Sequence, residues 1–264
     1  MAESRVRAYS GLAASAWDLL RGDTSEWPDR GFYREVIERS GQPVLDVGCA
    51  TGRLLLDYMA DGIEIDGVDA SPEMLDLCRA KAAAQGLTPT LFRQPMHALD
   101  LGQRYATILV PSSTFQLMID PAQAASALEH FLAHLLPGGT LVMSFMEVWR
   151  EGEPLRHEHL AAEAVRGSDG ATIRHTETTE VEPERKIAVT RNLYEVLVED
   201  RVEASESHDD VLRSYGQEEI CTAVAVAGFI DVRAVRGFSW QPAIPDNRIF
   251  CVLARKPSRG DSRP

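Results

Sequence analysis

Cysteine is scarce and scattered in this 264-residue chain: Cys49, Cys78, Cys221 and Cys251 share no paired spacing, so neither a disulfide framework nor a zinc site is expected. Uninterrupted apolar runs are missing as well. No window approaches the roughly eighteen residues of a membrane span, and Met1-Ala2-Glu3-Ser4-Arg5 lacks the apolar core of a secretion signal, so the expectation is a soluble, cytoplasmic protein with no membrane partner. Positive charge is in short supply. Lys and Arg number 27 against 40 Asp and Glu, a net charge of −13, and no basic cluster precedes the tail, which argues against a nucleic-acid partner because phosphate binding needs clustered Lys and Arg. Internal repeats are also absent.

With 44% apolar residues the chain is long enough to bury a full core. Residues 44–146 alternate short apolar runs with helical patterns, the signature of βαβ units in a parallel sheet. Strands are expected near 43–47, 64–69, 89–93, 106–111 and 140–145, and helices near 52–61, 72–85 and 121–136. The second of these opens with Ser71 as cap and Pro72 at the first helical position. Before this region, two apolar stripes (Leu12, Ala13, Ala16, Leu19, Leu20; then Phe32, Tyr33, Val36, Ile37) read as helices within residues 1–40. After Phe145 the pattern changes. Residues 171–181, 185–199 and 202–214 are rich in Thr, Val, Glu and Arg at period two and read as an antiparallel meander within an insertion at 147–214. A helix from Tyr215 to Gly228 and strands at 229–236 and 247–255 return to the first pattern, and the tail 257–264 reads as disordered.

The densest information lies in Val44-Leu45-Asp46-Val47-Gly48-Cys49-Ala50-Thr51-Gly52, an apolar strand entering a glycine-bounded turn, followed by Ile65-Asp66-Gly67-Val68-Asp69. A glycine turn lets backbone N–H groups approach a ligand, and an acid at the tip of the next strand can accept both ribose hydroxyls of an adenosine-like cofactor. A dinucleotide fingerprint needs three glycines as G-x-G-x-x-G; only Gly48 and Gly52 are present, which disfavours a nicotinamide enzyme.

Asp46-x-Gly48-x-x-x-Gly52 resembles motif I of the class I S-adenosylmethionine (SAM) methyltransferases. Gly67-Val68-Asp69-Ala70-Ser71-Pro72-Glu73-Met74-Leu75 resembles their second motif, and Leu135-Leu136-Pro137-Gly138-Gly139-Thr140-Leu141 the turn before their fifth strand. The nearest likeness is to small-molecule methyltransferases, including N-methyltransferases of nucleotide-linked amino sugars. The resemblance implies a Rossmann-like α/β fold: a seven-stranded sheet with helices on both faces, built from 41–146 and 215–256. To this core it adds an antiparallel β-rich substrate cap at 147–214 and an N-terminal lid at 1–40 that brings Tyr9, Trp17 and Tyr33 near the site.

For SAM the resemblance implies contacts from Asp46, Gly48, Ala50 and Gly52 to the amino-acid end, and from Asp69, Ala70 and Met74 along ribose and adenine. Met96 and His97 follow at the adenine edge, and Pro111 and Ser112 at the end of the fourth strand. Three departures stand out: Ala50 replaces a glycine, Pro95 replaces the acid that contacts adenine, and Ala106 replaces a common aspartate. For the acceptor, Ser113 and Gln116 in the loop after the fourth strand, His157 in the insertion and Tyr215 where the insertion rejoins the core are the candidates. Methyl transfer from a sulfonium needs mainly placement and exclusion of water, with a general base only for an acceptor that arrives protonated. The expected activity is transfer to an amine of a small molecule. Transfer to a hydroxyl or carboxylate, and a SAM-binding protein without turnover, are the alternatives. No resident metal is expected, and the cap offers a surface for a homodimer.

Overall fold

The computed structural model describes residues 8–258, 260 and 261. Two short helices, α1 (Gly11–Ser15) and α2 (Trp17–Arg21), and a longer α3 (Pro28–Ser40) precede the alternating region. That region runs β1 (Val44–Val47), α4 (Leu55–Ala60), β2 (Ile65–Asp69), α5 (Pro72–Ala84), β3 (Leu91–Arg93), β4 (Tyr105–Val110), α6 (Pro121–His134) and β5 (Leu135–Met146). Four long strands follow, β6 (Arg156–Val165), β7 (Thr172–Glu182), β8 (Ile187–Val198) and β9 (Arg201–Arg213), and the chain closes with α7 (Gln217–Val226), β10 (Ile230–Arg236) and β11 (Ile249–Arg255).

Among the described residues the strands form two sheets. The larger has the order β10-β11-β5-β4-β1-β2-β3, parallel from β5 to β3 and antiparallel at β11 and β10. All four residues of β1 and all six of β4 are buried, as expected for central parallel strands covered on both faces by helices. One apolar cluster lines the face covered by α6 and α7, with Tyr105, Phe115, Phe131 and Phe145, and a second lines the face covered by α3, α4 and α5, with Phe32, Tyr33, Leu55 and Tyr58. The helix expected from residue 52 begins only at Leu55, because Gly52 holds a φ of +84° that no right-handed turn accepts.

The chain divides into two compact units. One comprises Ser25–Glu147 with the described residues from Tyr215 onward, and carries the larger sheet. Its last described residue, Asp261, accepts from Arg255 and Ser258, so the tail is held at that point; residue 259 and residues 262–264 of the tail read as disordered lie outside the described residues.

The other unit comprises the described residues up to Thr24 with Val148–Ser214. Its antiparallel sheet, β6-β7-β8-β9, contains the expected meander plus β6, a mostly exposed edge strand that period-two reading misses because no alternating apolar face marks it. Ala16 packs with Ala171, Ile173 and Val196, flanked by Leu12, Leu19 and Leu20, and the Tyr9 hydroxyl donates to Asp210 at 2.9 Å. The N-terminal segment read as one piece over 1–40 is therefore split after Thr24: α1 and α2 belong with the insertion, α3 with the larger sheet.

Candidate functional site

Four loops leave the carboxyl ends of the adjacent strands β4, β1, β2 and β3, the edge at which open α/β sheets bind ligands. The first to consider follows β1. Gly48 and Gly52 hold φ of +73° and +84°. A Cβ at Gly48 would lie 2.5 Å from Thr114 Cγ2, and one at Gly52 would lie 2.7 Å from Cys78 Sγ and 2.8 Å from Leu56 Cγ, so both conformation and space demand glycine. Gly48 and Cys49 N–H donate to the Val68 carbonyl at 2.8 and 3.1 Å, which locks the turn against β2.

Ala50, in place of a glycine, sits at φ +48°, a left-handed conformation that costs a residue with a Cβ about 1–2 kcal/mol. Its N–H donates to Asp69 Oδ2 at 2.9 Å, which holds the strained residue in place. Asp69 ends β2, and its other oxygen accepts from Ser71 N–H at 2.8 Å. Burial raises the Asp69 carboxyl, and the amides of Ser71, Ala50 and Ala70 oppose that shift. Each oxygen thus carries a backbone donor and retains acceptor capacity for a hydroxyl pair. Beyond it Ala70 is exposed, Ser71 caps α5 by accepting from Met74 N–H at 3.1 Å, and the Met74 side chain is fully buried.

Asp46, one residue from the end of β1, is 1% exposed, and its Oδ1 has no hydrogen-bond partner among the described residues. Burial pushes its carboxyl up to about 7; Arg53 pulls it down, while Asp69 and Asp29 add to the rise. Arg53, directly after the turn, is paired with buried Asp29 of α3 (Nη1 to Oδ1 3.1 Å, with a second contact from Nη2) and lies 5.0 Å from the Trp27 ring centroid. The sequence reading did not single out Arg53 or Asp29. A cation on the glycine turn was a visible signal, but its partner lies 24 residues away.

After β3 the Gln94 side chain bonds Asp100 N–H and carbonyl at 2.7 and 2.9 Å, which folds 94–100 into a compact loop. Within it Met96 packs on the core and His97 has a buried Nδ1 without a partner among the described residues. After β4, Pro111 is buried, and Ser112 and Ser113 are consecutive left-handed residues, φ +55° and +57°, an accumulation of backbone strain at the sheet's ligand edge. Ser113 N–H donates to Ser144 Oγ at 3.2 Å, and Thr114 Oγ1 donates to the Pro111 carbonyl at 2.6 Å.

The structure assigns different work to the acceptor-side candidates. Gln116 is 0% exposed; its amide donates to the Met146 carbonyl at 3.0 Å and accepts from Met146 N–H at 2.7 Å, clamping the end of β5. It is a positioning residue. Tyr215 donates to the Met118 carbonyl at 3.3 Å and packs between Phe115 and Phe145 with centroids 5.7 and 5.9 Å away. His157 is exposed on β6, opposite Thr179 and stacked on His159, in the other unit. Ser113 alone of the four lies in a strained loop at the carboxyl edge.

A methyltransferase domain family matches residues 44–139, which hold the turn, Asp69 and the loop after β4. The chain is 28% identical over 175 residues to the dTDP-3-amino-3,6-dideoxy-alpha-D-glucopyranose N,N-dimethyltransferase of Streptomyces fradiae, covering 62% of this chain and 64% of that protein. It thus spans less than two thirds of that relative's length. Among solved structures, the CcbJ methyltransferase of Streptomyces caelestis superposes with a TM-score of 0.76 at 22% identity, over 93% of this chain and 96% of that one. The sugar N-methyltransferase KedS8 of Streptoalloteichus superposes with a TM-score of 0.72 at 20% identity, over 98% and 99%. Residues 44–139 thus match a methyltransferase domain, and the chain shares its fold with solved S-adenosylmethionine-dependent methyltransferases.

Proposed function

We propose that this protein binds SAM at the Gly48–Gly52 turn and Asp69, and transfers its methyl group to an amine nitrogen of a small molecule of the amino-sugar type. The observation that carries the cofactor half is Asp69: an acid at the tip of β2, oriented by the amides of Ala50 and Ser71, with acceptor capacity left for vicinal hydroxyls. The residues fit the group. The turn has no room for a Cβ at either glycine, and the carboxyl beside it keeps an oxygen without a partner among the described residues. When bound, SAM supplies an activated methyl on a sulfonium. The chain's own part is to orient the ribose through Asp69, hold the turn rigid through Gly48 and Thr114, and exclude water from the in-line approach.

The amine half is supported by the likeness to the Streptomyces fradiae N,N-dimethyltransferase and by the chemistry of the β4 loop. Gln116 and Tyr215 are engaged with backbone carbonyls of Met146 and Met118, so neither is set up as a proton acceptor. An amine presented as its free base needs none, whereas a hydroxyl does.

Thermal unfolding with SAM, S-adenosylhomocysteine or NAD in excess tests the cofactor. Saturation at about a hundred times Kd is expected to stabilise by about 2.7 kcal/mol with the two sulfur ligands, and Asp69→Ala to abolish the shift. Labelled methyl transfer to dTDP-3-amino-3,6-dideoxy-alpha-D-glucopyranose, with the 3-hydroxy sugar nucleotide as control, tests the acceptor class. Stabilisation by NAD alone refutes the first half, and label on the 3-hydroxy control but not on the amine refutes the second.

A further inference from the structure

Ser144 is a hydroxyl in an otherwise apolar stretch of β5. It stands between Met143 and Phe145, is 2% exposed, and pairs across the sheet with buried Cys251 of β11. Tyr33 of α3 turns its hydroxyl toward Ser144 without closing a hydrogen bond, and that hydroxyl has no hydrogen-bond partner among the described residues. A buried hydroxyl in such surroundings needs a hydrogen bond to offset its desolvation. The bond Ser144 makes is with Ser113 N–H, which donates to its Oγ at 3.2 Å across 31 residues of sequence. Ser113 is the second of two successive left-handed residues, φ +55° and +57°, neither of them glycine, and such a bend persists only where its surroundings hold it. The loop is tied to β5 at two points, by this bond and by the Gln116 amide on the Met146 backbone, and of the two Ser144 acts directly on the left-handed pair. Ser112 is exposed and Ser113 half-buried, so the bend presents both at the carboxyl edge of the sheet.

We propose that Ser144 is a positioning residue for methyl transfer: by accepting from Ser113 N–H inside the sheet it keeps the Ser112–Ser113 bend left-handed, and so fixes the wall against which the acceptor is placed. The inference rests on the methyltransferase reading of this edge. A serine hydroxyl has one proton and two lone pairs. With the proton turned toward the Tyr33 oxygen, a lone pair stays aimed at the Ser113 amide. The glycine turn has locks of its own: Gly48 and Cys49 donate to the Val68 carbonyl and Ala50 donates to Asp69, none of them through Ser144. A loss at Ser144 therefore acts on placement of the acceptor and spares binding of the cofactor.

Two variants of the full chain test this. Ser144→Ala deletes the oxygen, and Ser144→Cys keeps the volume with a poor hydrogen-bond acceptor. Hydrogen exchange read by mass spectrometry is expected to run about tenfold faster over residues 111–117 in both variants, with β1 and β4 unchanged. Calorimetric titration with S-adenosylhomocysteine is expected to give an affinity within about threefold of wild type. For labelled methyl transfer to dTDP-3-amino-3,6-dideoxy-alpha-D-glucopyranose, kcat is expected to fall about 10- to 100-fold while KM for SAM stays the same. Wild-type exchange over 111–117 in both variants overturns the inference, and so does faster exchange with an unchanged kcat, which leaves Ser144 a purely structural residue. A cysteine variant that matches wild type where the alanine variant does not overturns the hydrogen bond in favour of packing. Parallel loss of S-adenosylhomocysteine affinity and kcat marks general damage and also overturns it. Wild type that binds S-adenosylhomocysteine but puts no label on the amine overturns the amine reading instead, and the exchange rates then decide for or against Ser144. Wild type that binds no S-adenosylhomocysteine removes the cofactor reading itself, and this inference with it.

Discussion

Replacing Gly48 by alanine isolates the physical constraint on which the turn depends. Two costs arise together. The residue's φ of +73° is left-handed, which costs a Cβ-bearing residue about 1–2 kcal/mol. The new methyl would also lie 2.5 Å from Thr114 Cγ2, 3.1 Å from its Oγ1 and 3.3 Å from its Cβ, and overpacking of this kind costs about 1–3 kcal/mol. The sum, about 2–5 kcal/mol, corresponds to a fall in melting temperature of about 5–15 °C for a chain of this size. Thr114→Ser separates the parts, because it deletes only the clashing Cγ2 and keeps the hydroxyl that donates to the Pro111 carbonyl. Alone it is expected to cost about 0.8 kcal/mol for the lost methyl. In the double variant the 2.5 Å contact disappears, while the milder contacts with Oγ1 and Cβ and the conformational part stay, so the pair is expected to be less destabilised than the sum of the singles by about 1–2 kcal/mol. Urea unfolding of the four proteins completes the cycle. A Gly48→Ala protein within about 0.5 kcal/mol of wild type, or strict additivity in the cycle, refutes the claim that Thr114 occupies the space a side chain at 48 would need.

Gln116→Ala removes both bonds to the backbone of Met146, which is itself exposed, for an expected loss of about 1–3 kcal/mol in urea unfolding; a loss below about 0.5 kcal/mol contradicts its role as a clamp. Asp46 makes a pH-dependent contribution of definite sign. Its folded value of about 7 lies above the unfolded 3.8, so its favourable contribution is fully present below pH 4 and is lost as pH rises through 7, a decline of the order of 4 kcal/mol. Asp46→Asn is expected to remove that decline, so the stability difference between variant and wild type must grow in the variant's favour from pH 4 to pH 8. A difference constant with pH means that Asp46 titrates alike in the folded and unfolded chains.

Much of this was legible in the linear chain. The buried apolar strands β1 and β4, the Ser71-Pro72 start of α5 and the acid at the tip of β2 are local signals: each depends on residues within one turn or one strand of one another. The reading failed where partners are distant. Polar residues at the end of β4 looked like groups that face an acceptor, yet Gln116 turns to Met146, thirty residues on, and Tyr215 to Met118, 97 residues back. Ser112 and Ser113 read as cofactor-side and acceptor-side candidates, and only the backbone reveals that they are two left-handed residues in succession. The edge strand β6 escaped because exposure on most of its length leaves no alternation to detect.

By itself the sequence determined the class of the fold and the glycine turn that the proposed function uses, because periodicity and glycine spacing are properties of adjacent residues that every compact state of the chain must respect. Only the tertiary structure decided which charges are compensated. Asp29, Asp46, Arg53 and Asp69 stand on α3, β1, the turn and β2, and nothing in their order along the chain says that Arg53 pairs with Asp29 while Asp46 is buried with an oxygen that has no partner among the described residues. Ionisation energies depend on burial and on distance through space, and both exist only once the sheet has brought those elements together.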